Sequence, residues 1–110
     1  MERVCLVYEL RDGAEAEYEE RHRDVWPEML ALLDDAGISD YSIFRRGTTL
    51  MCFMKANPDF ATASAMLARS GIQQRWTRSL ADLFARITDE DGRPLLGQEV
   101  FRHEGNRRDA

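Results

Sequence analysis

Apolar residues that alternate with a period of two, then recur at helical spacing, in the order strand, helix, strand, strand, helix, strand, predict an α+β fold. The sheet in such a fold is antiparallel, with the helices on one face. The 110-residue length is that of one domain. Turn pairs such as Asp12-Gly13 and Ser70-Gly71 punctuate the runs. The strand-like runs are apolar on both sides, so two faces ask for cover.

Residues 2–10 alternate as a strand that ends at Asp12-Gly13. Residues 14–23 are strong helix formers with acids in the first turn, where the helix dipole favours them. Pro27 interrupts this helix, yet Met29, Leu30, Leu32 and Leu33 continue an apolar face to Gly37, a natural stop. A kink or a restart is therefore expected near residues 23–26, with Asp24 available as a cap. Residues 41–46 and 48–56 read as two strands of a hairpin around Gly47. Asn57-Pro58-Asp59 opens a second helical region that Ser70-Gly71 breaks, and Ile72, Trp76, Leu80, Leu83 and Phe84 mark the buried stripe of a further helix. Residues 88–98 read as a loop, 99–102 as a short final strand, and 104–110 as a polar tail expected to be disordered. The order is the ferredoxin-like β-α-β-β-α-β arrangement in one domain over residues 1–103. Because its strands are apolar on both sides, the open face is expected to be covered by a second copy in a homodimer.

Twenty acidic residues against fifteen Lys plus Arg give a net charge of -5, which argues against nucleic acid or an anionic membrane surface as the partner. No secretory leader precedes the first strand and no apolar run has membrane-spanning length, so a cytoplasmic protein is expected. Cys5 and Cys52 sit in separate apolar runs and read as reduced thiols packed like small hydrophobes. His103 stands in the tail, and no His, Cys, Asp or Glu spacing resembles a metal site. Neither a glycine-rich phosphate loop nor a Gly-x-Ser-x-Gly elbow is present, so cofactor-free proton chemistry is the class of reaction left.

Tyr18, His22 and Trp26 follow one another at steps of four. Each such step turns about 40° around a helix, so the three project from one stripe. His22 is the group among them suited to acid-base work near neutrality, between rings with apolar faces and polar tips. A surface histidine and core aromatics would show the same spacing, and Tyr41 and Trp76 would equally serve as sheet and core packing.

The run His22-x-x-x-Trp26-Pro27-Glu28-Met29, then Gly37 with Asp40-Tyr41-Ser42-Ile43, then Gln74-Arg75-Trp76, then Gln98-Glu99-Val100-Phe101, resembles the L-rhamnose mutarotase family in order and spacing. The resemblance covers almost the whole chain and implies a dimeric ferredoxin-like α/β barrel that interconverts the α and β anomers of L-rhamnose or a related 6-deoxy aldose without a cofactor. It puts the proton-donating histidine at His22 and substrate contacts at Tyr18 and Tyr41. The family's sugar-binding Trp-Trp pair falls on Trp76 and Thr77. Thr77 is thus a departure, exchanging an indole wall for a hydroxyl.

Mutarotation needs a proton given to the ring oxygen and one withdrawn from the anomeric hydroxyl, both reversibly. His22 is expected to donate the first, and a tyrosine, a carboxylate or a water to take the second. Trp76 would stack on the C-H face of the sugar. A cofactor-free monooxygenase of the same dimeric fold is the alternative on fold analogy, and a non-catalytic small-ligand or partner-binding dimer is a third reading.

Overall fold

A computed structural model describes residues 1–105, so of the tail expected to be disordered, 104–110, residues 106–110 lie outside the described residues. The elements are β1 (Glu2–Leu10), α1 (Glu15–His22), α2 (Pro27–Asp35), β2 (Ile38–Arg46), β3 (Thr49–Ala56), α3 (Phe60–Ala68), α4 (Gly71–Leu80), a 3-10 turn (Ala81–Leu83) and β4 (Phe84–Arg86). The sheet order is β2-β3-β1-β4 with antiparallel pairing throughout, which is the ferredoxin-like order. Each expected helical region is a pair of helices.

The break between α1 and α2 is a restart. Pro27 holds the first helical position, and Trp26 before it is extended (φ -56°, ψ 135°), as a residue preceding proline prefers. Asp24 does not cap α2, because Trp26 occupies the cap position and makes no side-chain bond there. The second region starts on two real caps: Asp59 accepts from the Thr62 N–H at 2.8 Å and Ser70 from the Ile72 N–H at 3.2 Å. Gly37 ends α2 with φ +82°, and a Cβ there would lie 2.1 Å from the Asn57 carbonyl oxygen, so the turn into β2 admits glycine alone.

Register decides which residues share a face. Leu6, Cys52 and Ile43 form one cross-strand row, with Val4 and Met54 beside them, and all point to the helices. Val7, Met51 and Phe44, and likewise Cys5, Phe53 and Ser42, form rows on the opposite side. The core lies between sheet and helices in two clusters, one around Val4, Ile38 and Ala63, the other around Leu10, Tyr18 and Leu80. Tyr8 and Ile43 touch both.

Further expectations are corrected, and β2 begins at Ile38 rather than at residue 41. The last helix stops at Leu80, and Phe84 belongs to the edge strand, because the chain turns through a 3-10 segment that buries Leu83. Residues 99–102 form no strand. The edge beside β1 is taken instead by β4 and by residues 95–97, where the Val7 N–H donates to the Leu95 carbonyl and the Gly97 N–H to the Cys5 carbonyl. Past that point no β1 pairing remains for the arm, whose Val100 and Phe101 are 89% and 82% exposed.

Candidate active site

α1 gathers Glu15 and Glu17 in its first turn and Arg21 and His22 in its last, each sign at the end where the dipole favours it. Arg21 ties this end to α4: its guanidinium meets Glu17 at 2.9 Å and Asp82 at 3.2 Å and donates to the Ser79 carbonyl. That brace sets His22 against Trp76, with ring centroids 5.4 Å apart and edge to face. Behind it Tyr18, buried in the core, stacks on the imidazole at 4.2 Å. Trp26 lies edge-on to Trp76 at 5.1 Å, so the broken helix still delivers the third ring of the stripe to the same cluster.

His22 Nδ1 is 3.0 Å from the Tyr18 carbonyl oxygen. A carbonyl only accepts, so Nδ1 carries the proton, and Nε2 is the nitrogen left for chemistry. Burial lowers the imidazole's pKa below its ordinary 6.5, and the Tyr18 hydrogen bond offsets part of that shift.

A cavity of about 490 Å³ opens between the sheet and the helices, a size common for small-molecule sites. The sheet contributes Leu6, Tyr8, Ile43 and Met54, α2 contributes Met29 and Leu33, and α3 contributes Phe60 and Leu67. Against this hydrocarbon the polar lining side chains are Tyr8, His22, Tyr41, Ser64, Gln73 and the Trp76 indole. Tyr41 owes its place to a bulge in β2 between Ser39 and Ser42. Asp40 sits there with φ 52°, a conformation that Asp tolerates better than most residues, and its carboxylate meets Lys55 at 3.1 Å. The extra residue shifts the alternation, so that Ile38 before it and Tyr41 and Ile43 after it all face inward.

The Tyr41 ring is 39% exposed, yet its hydroxyl end is enclosed enough that burial raises the phenol's pKa well above the usual range, with the Cys52 thiol a smaller influence. Burial likewise pushes Tyr8 up to about 12 and raises Tyr18. These phenols hold their protons near neutrality, so each keeps an O–H available to donate. Cys52, fully buried in the core under the helices, is pushed up to about 11 by burial, and Tyr41 pulls it slightly the other way. The thiol is inert packing.

Of the residues singled out in the sequence, His22, Tyr41 and Trp76 line this cavity together. Tyr18 lines a smaller one of about 430 Å³ on the other side of His22, beside Glu19 and Arg45, which pair at 2.8 Å. Thr77 is exposed and outside both linings. Its hydroxyl accepts from the Gln73 amide at 2.9 Å. Tyr8, Ser64 and Gln73 went unread. Tyr8 was legible as a residue in phase with Leu6 and Leu10, and Gln73 as one turn before Trp76. Among the described residues no group of three or more His, Cys, Asp or Glu could hold a metal ion, and no helix is long and apolar enough to cross a membrane.

The family model described as L-rhamnose mutarotase matches residues 3–103. A protein named L-rhamnose mutarotase from Bacteroides thetaiotaomicron is 36% identical, over 92% of this chain and 97% of its own length. One of the same name from Burkholderia ambifaria is 38% identical, over 86% and 89%. The crystal structure of an L-rhamnose mutarotase from Formosa agariphila superposes with a TM-score of 0.76 at 34% identity, covering 94% of this chain and all of that one.

Proposed function

The chain belongs to the L-rhamnose mutarotase family and is a sugar mutarotase, an isomerase, and we propose that His22 is its proton donor to the ring oxygen of L-rhamnose or a related 6-deoxy aldose. The observation that carries this assignment is the committed Nδ1: with that nitrogen bound to the Tyr18 carbonyl, Nε2 is the acid-base atom at the cavity wall. The Nε2 proton passes to the ring oxygen as the bond from that oxygen to C1 breaks. The anomeric hydroxyl loses its proton as C1 becomes the aldehyde carbon, the C1-C2 bond rotates, and closure on the other face reverses both transfers.

Of the three candidates for the second proton, water fits the cavity best. The phenols hold their protons too tightly to act as bases, and among the described residues no carboxylate lines the larger cavity. Tyr41 and Tyr8 donate hydrogen bonds to sugar oxygens in this reading, and Trp76 forms the wall for the C-H face. Tyr18, expected to touch substrate, acts through His22 by stacking on it and holding its tautomer. The alternative of a cofactor-free monooxygenase receives no support from the relatives named above, all of them mutarotases.

The same reading includes a homodimer with the second copy on the open face of the sheet, where Phe44 and Phe53, edge to face at 5.7 Å, are 58% and 44% exposed. A cytoplasmic place of action accords with two free cysteines.

NMR saturation transfer between the two anomeric protons of L-rhamnose tests the assignment. The wild-type protein should transfer saturation far faster than buffer and His22→Asn should not. Equal rates for the two proteins remove His22 from the mechanism.

A further inference from the structure

We propose that Gln73 is a specificity-determining residue of this site: its carboxamide oxygen accepts a hydrogen bond from one sugar hydroxyl, and Thr77 is the positioning residue that holds it there. The proposal rests on the sugar-binding reading of the cavity. Gln73 lines the cavity one turn before Trp76 on the same face of α4, half-buried, among walls that are mostly hydrocarbon. One of its two amide N–H bonds is engaged, since Nε2 donates to Thr77 Oγ1 at 2.9 Å. Its oxygen accepts from no described residue.

A glutamine side chain left to itself spreads over many rotamers, and ordering it on binding would consume much of what one hydrogen bond contributes. The i,i+4 bond to Thr77 removes that loss beforehand, because it fixes the amide plane and leaves the carbonyl as the open acceptor. The indole of Trp76 beside it offers an apolar face with a donor N–H at its edge. A pyranose laid against that face turns its equatorial hydroxyls outward, and one that met the Gln73 oxygen would be read as a donor. Hydroxyl-reading sites discriminate sharply, since the analogue lacking the group leaves a desolvated acceptor unpaired. Thr77 itself stays outside the lining, so its effect on the sugar passes through Gln73.

The test combines binding and exchange for wild type, Gln73→Ala, Thr77→Val and Thr77→Ser, with L-rhamnose and its 2-, 3- and 4-deoxy analogues. Gln73→Ala should raise KM for L-rhamnose by roughly 3- to 10-fold, the span of one neutral hydrogen bond, with kcat nearly unchanged. Thr77→Val should follow it in part, and Thr77→Ser should restore the wild-type KM. With one of the three analogues, wild type and Gln73→Ala should bind equally, which identifies the hydroxyl that is read. Unchanged KM in Gln73→Ala, or a KM ratio that persists with all three analogues, overturns the proposal. Dissociation constants from tryptophan fluorescence keep the two readings apart. Gln73-dependent sugar binding without accelerated exchange would sustain Gln73 and defeat the mutarotase mechanism, whereas full exchange indifferent to Gln73 does the reverse. Sugar that neither binds nor exchanges with the wild-type protein ends both.

Discussion

The two faces of this sheet carry similar side chains and have opposite fates. Cys52 on the helix side has no exposed surface, while Phe53, the next residue, is 44% exposed on the other. Rows such as Leu6, Cys52 and Ile43 lie under the helices, whereas in the row of Val7, Met51 and Phe44 on the other side Phe44 is exposed and the other two are only half-buried. The difference comes from topology. The crossover from β1 to β2 passes over β3, and the one from β3 to β4 passes over β1, both on the same side, so all four helices fall on one face. Residue type asks for burial on both faces, and the chain satisfies one. The covered face then holds a cavity between sheet and helices, and the other face holds an aromatic pair left exposed by the described residues.

If chemistry belongs to the covered face and assembly to the bare one, each can be damaged alone. The largest effect is expected from His22→Asn, which should lower anomer exchange by about 10²- to 10⁴-fold, the range of general acid catalysis. Sedimentation should show its mass unaltered, because His22 lies on the helix side. A variant that loses exchange only by dissociating would break the division. Next comes Phe53→Glu, which puts a carboxylate where the second copy is expected and should weaken dimerisation by at least about 100-fold. The expected reading is half the mass at micromolar concentration with an intact fold. An undisturbed dimer would show that the contact lies elsewhere.

Most of the architecture was legible because it depends on patterns within one segment. β1 shows as alternation, Gly37 as a stop, and Asn57-Pro58-Asp59 as a helix opening, and each needs only neighbours in sequence. What escaped depends on distant partners. Phe84 sits four residues after Leu80 and reads as the next turn of a helix, and only the vacant edge of β1 draws it into a strand. Val100 and Phe101 look like a strand and find no partner strand among the described residues. The start of β2 was missed because the bulge at Asp40 breaks the alternation used to find strands. In the cavity, His22 stands out by residue type and spacing and Tyr41 and Trp76 through the family resemblance, whereas Gln73 is an ordinary helix residue until the fold sets it beside Trp76.

That bulge offers a smaller, sharper test of the covered face. Asp40→Val places a β-branched residue at φ 52°, where such side chains are strained, and removes the Lys55 ion pair. Relaxation of the bulge would return Tyr41 to the bare side, so exchange should fall by roughly tenfold, the value of about one lost hydrogen bond in the site. Asp40→Gly accepts the same φ and should keep the wild-type rate within a factor of two to three. Equal behaviour of the two variants would detach Tyr41 from the chemistry.

The smallest expected effect is on pH dependence, and it decides the direction in which His22 moves its proton. Burial lowers the folded-state pKa below 6.5, so the imidazolium is most populated on the acid side. If Nε2–H is the donor to the ring oxygen, kcat/KM should decline as pH rises through a midpoint below 6.5, matching the His22 Cε1 proton titration by NMR. Stability runs in the opposite sense. Between the folded pKa and 6.5 the unfolded chain binds more protons than the folded one, so stability rises with pH across that window, is fully present above it, and is lost as pH falls through the folded value. His22→Asn should flatten that part of the stability curve. Exchange that climbs with pH through the same window would make neutral Nε2 the base that takes the anomeric proton. A midpoint above 6.5 would mean that the Tyr18 hydrogen bond outweighs burial.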